Sequence, residues 1–198
     1  KIYFQKRTKK KNKFKLDKKK YENHANKINI KGISNKYTES NNLSKNNLNE
    51  WHRSHGNHSS NRFSDLKNIN LTNIDNLELA WSYKFIDKGG IQANPIVANG
   101  VIFMPSTAKS IIAINAINGK KNWEYQTIDK PALRGLIYKD DEDPKIFFCD
   151  GKNLSALFAK TGKKVIDFGN SGKITLKNMC KITPVILKDK NIIATVEP

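Results

Sequence analysis

Long apolar runs are missing from this 198-residue sequence, and it holds only two cysteines. No stretch approaches the roughly 18 consecutive apolar residues that a membrane-spanning helix requires. No apolar core follows the basic start either, so the N-terminal stretch does not read as a signal peptide. Cys149 and Cys180 are too few for a disulfide framework and leave the redox compartment open. Apolar residues make up 37% of the chain and mean hydropathy is -0.65, lean for a compact fold of this length.

Acidic residues are scarce at one end. Residues 1–50 carry fifteen Lys or Arg against four Asp or Glu, a net of +11; residues 51–198 carry twenty-one against fourteen. The first fifty offer too little apolar surface to offset the entropy of ordering, and read as a basic, Asn/Lys-rich disordered or linker segment. The folded part is expected over 51–198. Because the sequence starts at Lys1 and not at Met, the basic stretch 1–20 is expected to flank a hydrophobic segment further upstream, a membrane anchor.

What the sequence does contain is a repeat. Ala113-Ile-Asn-Ala-Ile-Asn-Gly-Lys-Lys-Asn-Trp123 matches Ala156-Leu-Phe-Ala-Lys-Thr-Gly-Lys-Lys-Val-Ile166, and the turn glycines Gly119 and Gly162 lie 43 residues apart. A period of about 40–45 residues with four short strands per unit is that of a β-propeller blade. A blade cannot bury its own faces, so it is stable only when stacked. One full blade, most of a second and the edge of a third are expected.

Residues 79–85 are β-prone, with Trp81, Tyr83 and Phe85 alternating onto one face. Gly89-Gly90 is expected to break that strand. Strands near 95–98 and 101–104 flank Asn99-Gly100, a type I′ hairpin signal because both central positions need positive φ. Strands at 110–116 and 121–126, joined at Asn118-Gly119, complete the blade. The second unit is expected at 136–138, 146–149, 154–159 and 165–168, and the third at 183–187 and 192–196, turning at 189–191. Upstream, 51–76 reads as loop, with a helical turn at 72–77 that Thr72 could cap.

In this order the motifs resemble the pyrroloquinoline-quinone (PQQ)-dependent dehydrogenases, eight-bladed propellers of the membrane glucose dehydrogenase and methanol dehydrogenase kind. The residues that carry the likeness are Trp51, Gly56 and Arg62-Phe63-Ser64, then Asn73 to Tyr83, then Gln92-Ala-Asn-Pro-Ile-Val-Ala-Asn-Gly-Val101. Arg134-Gly135, Ile146-Phe-Phe, Thr161-Gly-Lys, Asp167-Phe-Gly169 and Gly172 continue it. The resemblance implies an all-β fold and a partial propeller cut within its third blade. It implies that Trp123 packs over the Gly turn of the neighbouring blade, while Ile166 at the equivalent place makes a weaker contact.

The same resemblance implies cofactor-binding roles for Gln92, where many relatives carry Glu, and for Arg134, whose fork of donors suits planar oxygens and carboxylates. Residues 130–133 lack the adjacent cysteines of the alcohol-oxidising branch, which leans the likeness toward glucose or polyols. Lys181 stands where the family often has Thr. The catalytic Asp, the calcium ligands and a channel Lys belong to later blades, so this piece alone is expected to be inactive. The implied activity is hydride transfer from a sugar, polyol or alcohol to PQQ, with a membrane quinone or cytochrome as electron acceptor, in the periplasm. A non-catalytic propeller scaffold is the alternative.

Three features lie outside that reading. His52, His55 and His58 form His-x-x-His-x-x-His, but in a Gly/Ser/Asn loop where a metal site is not expected. The basic run 6–20 could meet phosphates, yet lacks the aromatic platform of a nucleic-acid site, and no nucleic-acid partner is expected. Cys180 has no nearby His and reads as a buried structural cysteine.

Overall fold

The computed structural model describes residues 50–56, 60, 62–64, 66–86, 92–132, 134–187 and 191–193. The basic segment up to residue 49, the Gly89-Gly90 break, His58 and the turn residues 188–190 lie outside them. So do residues 194–198, into which the last strand was expected to run.

The first sheet has strand order β1-β2-β3-β4, all antiparallel: β1 Ile96–Ala98, β2 Val101–Pro105, β3 Ser110–Asn115 and β4 Lys121–Gln126. Asn99 and Gly100 take φ of 50° and 71°, the left-handed pair a two-residue hairpin needs. The second sheet repeats the order with β5 Ile137–Lys139, β6 Lys145–Asp150, β7 Asn153–Phe158 and β8 Lys173–Thr175. A third hairpin pairs β9 Val185–Leu187 with β10 Asn191–Ile193.

Alternation along the strands assigns each face. Phe103, Ile111 and Ala113 turn toward the second sheet and meet Leu136, Tyr138, Ile146, Phe148 and Leu157 there. Their neighbours Met104, Ile112 and Ile114 turn the other way, against Trp81, Tyr83 and Phe85. On the far side of the second sheet, Phe147, Ala156 and Val165 pack on Ile186 of β9. Each four-stranded sheet thus buries both faces against a neighbouring segment, as stacked blades must.

Two indoles lock adjacent units. Trp123 on β4 covers Gly162 in the β7 turn, where an added Cβ would sit 2.6 Å from the ring, and its Nε1 donates to the Ala159 carbonyl at 2.9 Å. Trp81 does the same over Gly119, again at 2.6 Å, donating to the Ala116 carbonyl at 2.9 Å. The Trp123 contact is the expected one. Trp81 is a second member of the series that the sequence reading had treated only as a face residue. Ile166, at the equivalent place one unit on, is 60% exposed.

Three expectations need correcting. The fourth strand of the second unit is not 165–168. Lys163 and Val165 make single backbone links to β7, at 2.8 and 3.0 Å, and the chain then leaves the ladder. Gly169, Ser171 and Gly172 all take positive φ, which breaks an extended run, and Phe168 turns inward onto Phe147 at 5.3 Å. Pairing resumes as β8. Residues 79–85 keep their alternation but form no ladder among the described residues. The helical turn shrinks to a 3-10 turn, Ile74–Asn76, without a Thr72 cap. Asn70 Oδ1 instead accepts from the Thr72 amide and hydroxyl at 2.9 and 2.6 Å.

The leading segment does more than loop. Trp51 and Val97 exchange both backbone hydrogen bonds at 2.8 Å, and the Tyr138 amide donates to the His52 carbonyl at 2.8 Å. Residues 51–53 therefore lie between β1 and β5, the innermost strands of two successive units, and β5 in turn contacts β9.

Candidate functional site

In an antiparallel four-stranded blade, the crossover from outer to inner strand and the turn between strands two and three share one rim. The other turns share the opposite rim. Here the first rim gathers residues 127–132 and 134–136, the Gly151 turn and residues 176–184. The Trp–Gly locks and the Asn99-Gly100 turn lie on the other. Architecture and candidate site are thus separated by the strand order itself.

A cleft of about 420 Å³ opens on the crossover rim. Gln92, leading into β1, and Arg134, leading into β5, both line it, although they lie 42 residues apart in sequence. Asp129 and Lys130 come from the first crossover; Met179, Cys180, Lys181 and Ile182 come from the second. Gln92 and Arg134 are exposed, and the Arg134 guanidinium makes no ion pair among the described residues. Its backbone is held: the Thr183 hydroxyl donates to the Arg134 carbonyl at 2.8 Å, and Gly135 takes a φ of 127°.

The walls are pinned to the end of β6. Ala132 donates its amide to the Cys149 carbonyl at 2.7 Å, and Cys180 donates to the Gly151 carbonyl at 2.8 Å. Cys149 and Cys180 are joined as a disulfide with Cα atoms 5.5 Å apart, both almost fully buried. The expected buried structural role of Cys180 is therefore met, but through a bond that the sequence reading did not pair. Both cysteines fall on the same rim, which is the signal that would have found them.

Asp150 was also missed. It is 1% exposed, and burial pushes its carboxyl above the usual range. Hydrogen bonds from the Ser155 hydroxyl at 2.9 Å and the Ile128 amide at 3.1 Å pull the other way. It ties the first crossover to the second sheet and does not line the cleft. Asp129 does, but its Oδ1 already accepts the Lys130 amide at 2.7 Å, and its carboxylate lies against Gly151.

The described histidines are engaged elsewhere. His52 Nε2 lies 2.6 Å from Glu50 Oε2, and His55 Nε2 takes Arg62 Nη2 at 3.2 Å. No group of three His, Cys, Asp or Glu side chains placed to hold a metal occurs among the described residues.

Known proteins share this fold. Residues 51–196 match the PQQ family profile described as "Glucose/ethanol/alcohol dehydrogenase, beta-propeller domain". The chain is 33% identical over 129 residues to quinohemoprotein alcohol dehydrogenase ADH IIB of Pseudomonas putida, covering 59% of this chain and 18% of that protein. It is 30% identical over 146 residues to the quinohemoprotein alcohol dehydrogenase of Comamonas testosteroni, covering 67% and 20%. The solved structure of the Comamonas testosteroni enzyme superposes with a TM-score of 0.57 at 23% identity, over 72% of this chain and 22% of that one. A europium-containing methanol dehydrogenase gives 0.56 at 22%, over 71% and 26%, and these two structures bear on the fold alone. The chain spans about a fifth of the length of the curated relatives it matches. Those relatives are alcohol dehydrogenases, so the matches carry the family and not its glucose branch. From the opening Trp51 to the third hairpin, the chain belongs to the PQQ-dependent glucose/ethanol/alcohol dehydrogenase β-propeller family.

Proposed function

We propose that the protein whose opening blades these residues form oxidises an alcohol, sugar or polyol hydroxyl, with PQQ held partly by Gln92 and Arg134. The observation that carries this reading is their convergence on one cleft from two different units. The lining suits a flat ring system bearing carboxylates. Lys130, Arg134 and Lys181 supply positive charge against the one carboxylate of Asp129, while Ala132, Met179 and Ile182 supply apolar surface.

When bound, PQQ would accept the hydride leaving the substrate carbon. The chain's own residues bind and orient. The Arg134 fork can pair two coplanar oxygens at once. The Gln92 carboxamide both donates and accepts, but without the charge of the Glu found in many relatives. The base that takes the hydroxyl proton and the calcium ligands are assigned to later blades, so the 198 residues alone are expected not to turn over. A cytochrome or a membrane quinone would take the electrons, in keeping with the relatives named 1-butanol dehydrogenase (cytochrome c) and alcohol dehydrogenase (quinone).

The named relatives favour a simple alcohol as substrate; the absent cysteine pair at 130–133 favours a sugar or polyol. Dye-linked oxidation of 1-butanol against glucose and sorbitol by the full-length protein separates them. A periplasmic location is in keeping with the disulfide, since such bonds persist in oxidising compartments. Calorimetry of the full-length apoprotein with PQQ and calcium tests the central claim. Saturable binding that Arg134→Ala weakens supports it; no binding would leave a non-catalytic scaffold.

A further inference from the structure

We infer that Thr183 is a positioning residue for Arg134, tying the cofactor cleft to the inner strand of the third unit; this rests on the PQQ reading above. Thr183 leads into β9, and its hydroxyl donates to the Arg134 carbonyl at 2.8 Å across 49 residues of sequence. The contact does not hold by chance of a mobile rotamer. Pro184 follows and is buried, so Thr183 is biased to extended backbone, and its branched Cβ restricts χ1.

The acceptor is equally constrained. Gly135 sits at a φ of 127°, a conformation that a side chain rarely adopts, and a Cβ placed there would lie 3.3 Å from Thr183 Oγ1 and 3.4 Å from Ser54 Cβ. The Arg134-Gly135 peptide is thus oriented by its own backbone on one side and by a hydroxyl from the next unit on the other. The Gly135 amide adds only a long bond of 3.4 Å to the Ala132 carbonyl. The peptide fixes the Cα–Cβ direction from which the exposed Arg134 side chain starts, and so the region its guanidinium can reach. A ligand that Arg134 holds would then feel the loss of a hydroxyl that never touches it.

The same wall is anchored twice more, by the Cys149–Cys180 disulfide and by the Cys180 amide on Gly151. Those links hold the wall to the second sheet. The Thr183 hydroxyl links this wall to the residue assigned to the cofactor.

The test is a double-mutant cycle on the full-length protein, read as PQQ affinity by calorimetry and as melting temperature without PQQ. Thr183→Val should weaken PQQ binding about three- to tenfold, the range for one neutral hydrogen bond. Thr183→Ser should restore affinity. In the Arg134→Ala background, Thr183→Val should leave PQQ affinity unchanged while shifting the melting temperature as it does in the parent. If Thr183→Val weakens binding equally with and without Arg134, its role is structural and the inference is overturned. Unchanged affinity in Thr183→Val, with Arg134→Ala weakened, also overturns it. If Thr183→Val does not fold, Thr183→Ala takes its place in the cycle with the same expected outcomes. A parent protein that binds no PQQ fails the functional reading itself, and the inference falls with it.

Discussion

Trp123 and Gly162 lie on successive units and meet face to peptide, with the indole ring where a glycine Cβ would be and its N–H on the Ala159 carbonyl. Trp81 and Gly119 repeat the pair one unit earlier. Each glycine has two reasons to be glycine: a φ of 70° and a ring pressed against its backbone.

Gly162→Ala should therefore destabilise by about 2–4 kcal/mol, combining backbone strain with overpacking. In a Trp123→Ala background the ring is gone and only the strain remains, about 1 kcal/mol. Urea denaturation of the four proteins of the cycle measures the coupling. Equal costs in both backgrounds would show that the indole does not press on the turn.

The Cys149–Cys180 bond closes a loop of 31 residues that contains β7 and β8. Removing it as Cys149→Ala/Cys180→Ala should cost about 3–4 kcal/mol on the chain-entropy account. Dithiothreitol should lower the melting temperature of the parent and leave the double variant unmoved. Thiol titration of the unfolded, unreduced protein should find no free thiol; two free thiols would sink the pairing.

Two carboxylates should give opposite slopes of stability against pH. Burial raises the Asp150 carboxyl above its unfolded value, so the folded state keeps a proton that the unfolded state releases. Its contribution is present below about pH 4 and is lost as pH rises through the raised folded pKa. Glu124 runs the other way. The hydrogen bond from Lys121, at 2.6 Å, lowers it, helped by the Ser110 hydroxyl at 2.8 Å. That contribution is present above the unfolded value and is lost as pH falls through the folded one. Asp150→Asn keeps an acceptor for the Ile128 amide and reverses the Ser155 bond, the new amide donating to a hydroxyl that now accepts. Relative to the parent it should gain stability as pH rises above about 4, while Glu124→Gln should lose stability as pH rises toward about 4.5 and keep that deficit above it. Melting curves from about pH 2.5 to 7 read both signs.

Local chemistry made the hairpins legible, because Asn99-Gly100, Gly119 and Gly162 each need a conformation that few residues take. The repeat gave the stacking of units, and with it the Trp123 contact. Trp81 escaped although it stands 42 residues before Trp123, one blade period, because its aromatic alternation explained it well enough alone. Residues 165–168 misled for the opposite reason: β-branched and aromatic types read as a strand, but Gly169 and Gly172 pull the chain away and Phe168 finds a partner in Phe147. The disulfide and the Asp150 hydrogen bonds are not legible locally, since they join segments that only the strand order brings to one rim. Gln92 and Arg134 were singled out by resemblance, and their shared cleft is a fact of topology that spacing alone does not give.

Asp129 is the one carboxylate in the cleft, whose other charged lining residues are Lys130, Arg134 and Lys181. Its Oδ1 accepts the Lys130 amide at 2.7 Å, a bond that an Asn carbonyl oxygen can also accept. Asp129→Asn thus removes a charge and keeps the turn. At a separation of about 8 Å and an effective dielectric of about 60, one unit charge amounts to about 0.7 kcal/mol, or about threefold in affinity for each carboxylate so placed. PQQ should therefore bind the full-length Asp129→Asn protein about threefold more tightly at low salt. The gain should shrink at 0.3 M salt, where screening reaches within the cleft. Unchanged affinity at both salt levels would place the anion-binding face elsewhere on the rim.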